Sequence, residues 1–130
     1  MEGTKVHFKA IIEIASLPVI AFIFLTLLSC NAPPRIEEGS ASYYDKSFHG
    51  RKTASGEIYD ENACTAAHRS LKFGTRVRVT YLKTGKSVKV IINDRGPYKG
   101  GRIIDLSRAA ANKIGMIDDG VGKVKLEIYD

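Results

Sequence analysis

Tryptophan is absent from this chain of 130 residues, and cysteine (two), histidine (three) and proline (four) are scarce. Two cysteines, Cys30 and Cys64, cannot build the disulfide framework that organises many small exported domains. No Cys/His pairs stand at zinc-finger spacing, so a structural metal is not the organising element, and no metal or cofactor is expected. The longest apolar run, Ile14 to Leu28, falls short of the roughly 20 residues that a helix needs to cross a bilayer. Length excludes several domains: with 44% hydrophobic and 26% charged residues, the chain can bury one modest core.

Positive charge is in excess, with 20 Lys and Arg against 14 Asp and Glu, a formal net charge of +6. A diffuse positive field attracts nucleic acid, an acidic lipid surface or an acidic wall glycan alike, because it carries no information about shape. The start of the chain narrows this. Lys5, His7 and Lys9 precede the apolar run, which ends in Leu27-Leu28-Ser29-Cys30, a pattern that resembles the lipobox of bacterial prolipoproteins. The expectation is a signal peptide over residues 1–29, lipidation of Cys30 as the mature N-terminus, and a stiff tether over 30–38 containing Pro33-Pro34. An ordinary signal peptide or short anchor is the alternative. Export argues against nucleic acid as the partner. Asn31 rather than Asp follows Cys30, which suits an outer membrane facing the periplasm if there are two membranes. Cys64 then stands alone as a small apolar side chain.

From Gly39 the pattern is mostly β. Val77, Val79 and Tyr81 alternate with Arg76, Arg78 and Thr80, the period of a strand with one wet face. Thr84-Gly85 permits a reversal, and Val88, Val90 and Ile92 continue the apolar face on the return. Ile103-Ile104 and the alternation Val124, Leu126, Ile128 mark two more strands. Ser107 suits the N-cap of one short helix over Arg108 to Ile114, with Gly115 at C′. Many short strands with one helix predict a closed or nearly closed barrel over 39–130, since closure removes edges that strands this short cannot protect.

Polar residues gather in segments at strand ends: Phe48-His49-Gly50-Arg51 through Thr53-Ala54-Ser55-Gly56-Glu57, Thr65-Ala66-Ala67-His68, Asn93-Asp94-Arg95-Gly96-Pro97, and Asp105 before the helix. Carboxyl groups partly withdrawn from water at strand ends can hold a proton near neutrality, which is what glycosidic cleavage asks of a general acid. Glu57, Asp94 and Asp105 are the candidates. Each has a structural reading beside the chemical one: a loop acid for Glu57, a turn former or ion-pair partner of Arg95 or Arg102 for Asp94, a helix cap for Asp105. His68 either orients a carboxylate or is a hydrogen-bonded structural histidine. Tyr43, Tyr44, Phe48, Tyr59 and Tyr98 cluster around these segments, as core residues or as faces for sugar rings.

Taken in order with Gly39-Ser40-Ala41-Ser42-Tyr43-Tyr44, Phe73-Gly74-Thr75 and Ile104-Asp105-Leu106-Ser107, these segments closely resemble the rare lipoprotein A family of bacterial cell-wall proteins. The resemblance covers nearly all of residues 39–129. It implies an all-β fold, a six-stranded double-psi β-barrel with one short helix, expansin-like, and a groove for peptidoglycan glycan strands. It implies a lytic transglycosylase, which cuts between N-acetylmuramic acid and N-acetylglucosamine without water and leaves a 1,6-anhydro ring, or else a non-catalytic wall-loosening module like the expansins. Carried over by motif, Asp94 is the first choice for acid and base, Glu57 supports charge, Asp105 holds the site, and His68, Tyr44, His49, Thr53, Arg95 and Tyr98 contact the glycan. A monomer is expected. Tyr43 stands where the family usually has Trp, Asp45 where Gly is frequent, and Lys72 where Pro is common. With the sequence running to Asp130, the expectation is a member without the SPOR domain through which many relatives recognise glycan at division sites.

Overall fold

The alternation around the Thr84-Gly85 reversal forms the hairpin it predicts in the computed structural model, which describes residues 32–129; the leader, Cys30 and its lipidation lie outside the described residues. The strands are β1 (Arg35–Tyr43), β2 (Thr65–Ala67), β3 (Arg76–Tyr81), β4 (Ser87–Asp94), β5 (Arg102–Leu106) and β6 (Gly122–Tyr129), with a 3-10 turn at Lys46–Phe48 and one helix, α1 (Arg108–Lys113). They close into a barrel in the order β1-β5-β2-β4-β3-β6. Two pairings are parallel, β1 with β5 and β2 with β4, while β1–β6, β2–β5, β3–β4 and β3–β6 are antiparallel. The long connection between β1 and β2 carries the Phe48–Glu57 segment, while Asp94 and Asp105 stand at or near the ends of β4 and β5.

The inward residues are those the alternation marks: Val77, Val79, Val90, Ile92, Val124, Leu126 and Ile128 are buried and share one core with Ile104, Leu106, Ile114 and Met116. Burying each such side chain contributes roughly 1.5–3 kcal/mol relative to leaving it in water. Helix α1 seals one side. Ser107 caps it by accepting a hydrogen bond from the Ala110 amide, and Ala110 and Ala111 face the core. Gly115 follows with φ +75°, the left-handed conformation that ends a helix at little cost only for glycine.

The barrel begins four residues earlier than Gly39. Arg35, Ile36, Glu37 and Glu38, read from sequence as part of the tether, form the first half of β1 and pair with Ile128, Glu127, Leu126 and Lys125 of β6. Strand β6 supplies the ladder, so these residues need no apolar alternation of their own. Among the described residues, all six strands, the helix and the core lie within residues 35–129, a compact unit with a core of its own.

Candidate functional site

The site is built on one rung of the barrel. Ala67 of β2 pairs with Asp105 of β5 on one side and with Asp94 of β4 on the other, and Asp105 pairs in turn with Ser42 of β1. At the usual strand spacing the Asp94 and Asp105 backbones stand about 10 Å apart across Ala67. The preceding rung, Leu106, Ala66 and Ile92, is wholly buried inside the barrel. Successive side chains alternate, so Ala67 and its partners face outward. Unbroken alternation along β4 would turn Asp94 inward like Ile92. A register shift between Ala66 and Ala67 leaves Asn93 as an extra residue, and this bulge re-aims Asp94 to the outer face.

There the Asp94 carboxylate is held by three donors. Its Oδ1 accepts from the amides of Ala54 and Arg95, each at 2.9 Å, and its Oδ2 from the Tyr44 hydroxyl at 2.5 Å. The Tyr44 ring is itself clamped, edge-on to Tyr59 at 4.6 Å between centroids and tilted against Phe48 at 5.7 Å. Burial, then the hydrogen bond to Asp94, push the Tyr44 hydroxyl far above its ordinary pKa, so Tyr44 keeps its proton. Asp94, Tyr44, Phe48, Arg51, Lys52, Thr53 and Tyr59 line a cavity of about 260 Å³: a carboxyl group, three aromatic faces and two cations.

Glu57 reaches the same end of β4 through the loop Thr53-Ala54-Ser55-Gly56-Glu57. Gly56, at φ +93°, reverses the chain, so that the Thr53 amide and hydroxyl both donate to the Glu57 carbonyl, at 2.7 and 2.8 Å. The Ser55 amide donates to the Asn93 carbonyl at 3.3 Å, and the Asn93 side-chain amide donates to Glu57 Oε2 at 3.3 Å. Asn93 is 3% exposed, and its Oδ1 has no partner. Sequence reasoning missed Ala54, Ser55 and Asn93, whose contributions are backbone donors and a bulge that residue type does not announce.

Asp105 is engaged otherwise. It accepts from the Ser42 hydroxyl at 2.5 Å and lies 3.4 Å from the Arg102 guanidinium, which also donates to Ser42. Arg95 bonds through Nη1 to the carbonyls of His68 and Leu71 and stacks on the Phe73 ring at 4.0 Å. His68 is 5% exposed; its Nδ1 accepts from the Ser70 and Leu71 amides and its Nε2 lies 3.5 Å from Glu37. Desolvation holds the imidazole below its ordinary pKa against the pull of Glu37. His68 and Arg95 thus pin the 68–73 loop, and neither lines the cavity. His49 is exposed, with Nδ1 accepting from the Glu61 amide, and Tyr98 projects into solvent. Among the described residues no group of three or more His, Cys, Asp or Glu side chains comes together to hold a metal.

Residues 36–126 match the family described as lytic transglycolase. The chain is 61% identical over 94 residues to a probable endolytic peptidoglycan transglycosylase RlpA of Synechocystis sp., covering 72% of this chain and 29% of that protein. Over 129 residues it is 46% identical to the endolytic peptidoglycan transglycosylase RlpA of Pasteurella multocida, covering 98% of this chain and 44% of that one. The chain belongs to the RlpA family. It spans less than half the length of these two RlpA relatives. Among solved structures, the barrel resembles the Streptomyces papain inhibitor (TM-score 0.61, 23% identity, 78% of this chain and all of that one). It also resembles the apo expansin of Clavibacter michiganensis (TM-score 0.58, 20% identity, 74% of this chain and 51% of that one). Both likenesses establish the double-psi, expansin-like barrel and nothing about activity.

Proposed function

We propose that this chain is an endolytic peptidoglycan lytic transglycosylase that cuts the bond between N-acetylmuramic acid and N-acetylglucosamine. The observation that carries the reading is the Asp94 carboxyl group, turned outward by a bulge into a cavity walled by three aromatic rings. The names of the RlpA relatives support the same chemistry.

The two carboxylate oxygens have different jobs. Oδ1 is committed to two fixed amides, whereas Oδ2 meets a rotatable hydroxyl that can turn from donor to acceptor. A proton on Oδ2 passes to the leaving glycosidic oxygen as the bond to C1 breaks. The carboxylate left behind takes the proton of the sugar's own C6 hydroxyl as that oxygen closes on C1, forming the 1,6-anhydro ring. The nucleophile belongs to the substrate, so one acid/base serves both steps. Glu57, steadied by Asn93, does not line the cavity and adds negative charge from the same end of β4. Asp105 positions β1 against β5 through Ser42 and Arg102. Tyr44, Phe48 and Tyr59 offer faces to the sugars. Lipidation of Cys30 would hold the domain, as a monomer, at a membrane of the cell envelope, and in a cell with two membranes at the outer one, facing the periplasm.

Digestion of purified sacculi, with muropeptides read by mass spectrometry, tests this. The expected result is anhydro-ended products whose formation falls about 10²- to 10⁴-fold in Asp94→Asn, the range for loss of a general acid/base. Binding to sacculi without anhydro ends would instead make the chain a non-catalytic wall-loosening module.

A further inference from the structure

A second groove lies away from Asp94, in the barrel's own unit. It encloses about 720 Å³ and is lined by Arg35 and Tyr129 and by the segment 70–76, which includes Lys72, Phe73 and Arg76. An adjoining cavity of about 290 Å³ shares Arg76 and Tyr129 and adds Arg78 and Lys89. Five cations thus follow one another along the first strand, the 70–75 loop and the β3–β4 hairpin. The nearby acids are few. Glu37 lies 3.6 Å from Arg35, but its other oxygen is turned inward, 3.5 Å from His68. Glu127 pairs across from Arg78 and is 3.8 Å from Lys125. Asp130 lies outside the described residues. The aromatic lining is half exposed, 42% for Phe73 and 37% for Tyr129.

We propose that this groove is a docking surface for the anionic headgroups of a phospholipid membrane. Cations beside exposed aromatic rings are the side-chain chemistry of a membrane interface, where each Lys or Arg meets anionic lipid phosphate and the rings settle at headgroup depth. A free phosphate ion would occupy little of so large a groove. The entry of the chain argues the same way. Arg35 lines the groove and is also the first residue of β1, so residues 31–34 are all that separate it from Cys30, at most about 17 Å fully extended. A chain held at a membrane by Cys30 keeps this face within reach of the headgroups, and the lipid and the groove act as two linked weak anchors.

The test uses residues 32–130, without leader or lipid, co-sedimented with phosphatidylcholine vesicles that contain or lack phosphatidylglycerol. Binding is expected only to the phosphatidylglycerol vesicles. It should weaken about 100-fold in the triple variant Arg35→Gln/Lys72→Gln/Arg76→Gln, from about fivefold per cation. A control with the same charge loss elsewhere, Lys46→Gln/Lys99→Gln/Lys113→Gln, should stay within about threefold of the parent, because screened charges off the contact contribute little. Equal losses in the two variants would overturn the proposal in favour of a diffuse field. So would absence of vesicle binding, or full displacement by millimolar inorganic phosphate. Loss of sacculus binding in the groove variant with vesicle binding intact would assign the groove to glycan. Vesicle binding is read without substrate, so it stands or falls separately from the transglycosylase reading.

Discussion

Replacing Tyr44 by Phe removes one oxygen from the site and leaves the ring stacked on Tyr59 and Phe48. That oxygen donates to Asp94 Oδ2 at 2.5 Å, a hydrogen bond to a charged acceptor in a half-buried setting. Such bonds contribute about 1.5–3 kcal/mol, and water at the cavity mouth can replace part of this, so the expected loss near neutral pH is about 1.5 kcal/mol. For a domain of this size, that lowers the melting temperature by about 6–12 °C. The pH dependence is the sharper part. In the folded protein Tyr44 titrates above its ordinary value of 10.0, with burial the largest cause and the Asp94 hydrogen bond next. A group whose folded pKa is raised contributes its stability in full below the unfolded pKa, and loses it as pH climbs towards the folded one. Above about pH 10, therefore, the advantage of the parent over Tyr44→Phe shrinks by about 1.4 kcal/mol per pH unit and is gone near pH 11. Urea unfolding of residues 32–130 and the variant, from about pH 8 to about pH 11, measures the difference directly. Other tyrosines and lysines titrate in both proteins and cancel. Parallel stability curves across that range would mean that folding does not raise the Tyr44 pKa.

Other perturbations probe the scaffold. A Cβ on Gly122 would fall 2.3 Å from Cε1 of Tyr81, a buried ring pinned by its hydroxyl to Asp119 at 2.5 Å. Gly122→Ala should cost about 3 kcal/mol by thermal unfolding, the upper range for overpacking, and nearly nothing in a Tyr81→Ala background. Arg95→Lys keeps the charge but loses the planar group that joins two carbonyls to the Phe73 ring, so amide exchange in residues 68–73 should accelerate at least about tenfold while the β3–β6 ladder stays protected.

Much of the barrel was legible because its inward positions obey a period of two. Val77 to Tyr81, Val88 to Ile92 and Val124 to Ile128 show their faces in the sequence, and Ser107 and Gly115 announce the helix ends by residue type. The first half of β1 was not legible. At Glu37 the inward direction leads to His68 instead of to the apolar core, and Arg35 lies against a groove at the start of the strand, so the segment resembles a polar tether. The candidate site divides the same way. Motif order drew attention to Glu57, Asp94 and Tyr44, which the fold gathers at one end of β4. It grouped them with Asp105, read as the residue that holds the site and found bound up with Ser42 and Arg102, and with His68, read as a glycan contact and found with ring nitrogens that serve a loop. Side-chain type says that a group can carry a proton; only the bulge at Asn93 decides which one meets the cavity.

The donors that hold Asp94 come from residues 40 and 50 positions away in sequence, Ala54 and Tyr44, as well as from its immediate neighbour Arg95. No short stretch of chain contains that arrangement. In an extended chain these groups are scattered, and nothing aims the Asp94 carboxyl group. Closing the barrel is therefore also what assembles the grip on Asp94, and a chain that has not folded has no such carboxyl group to present.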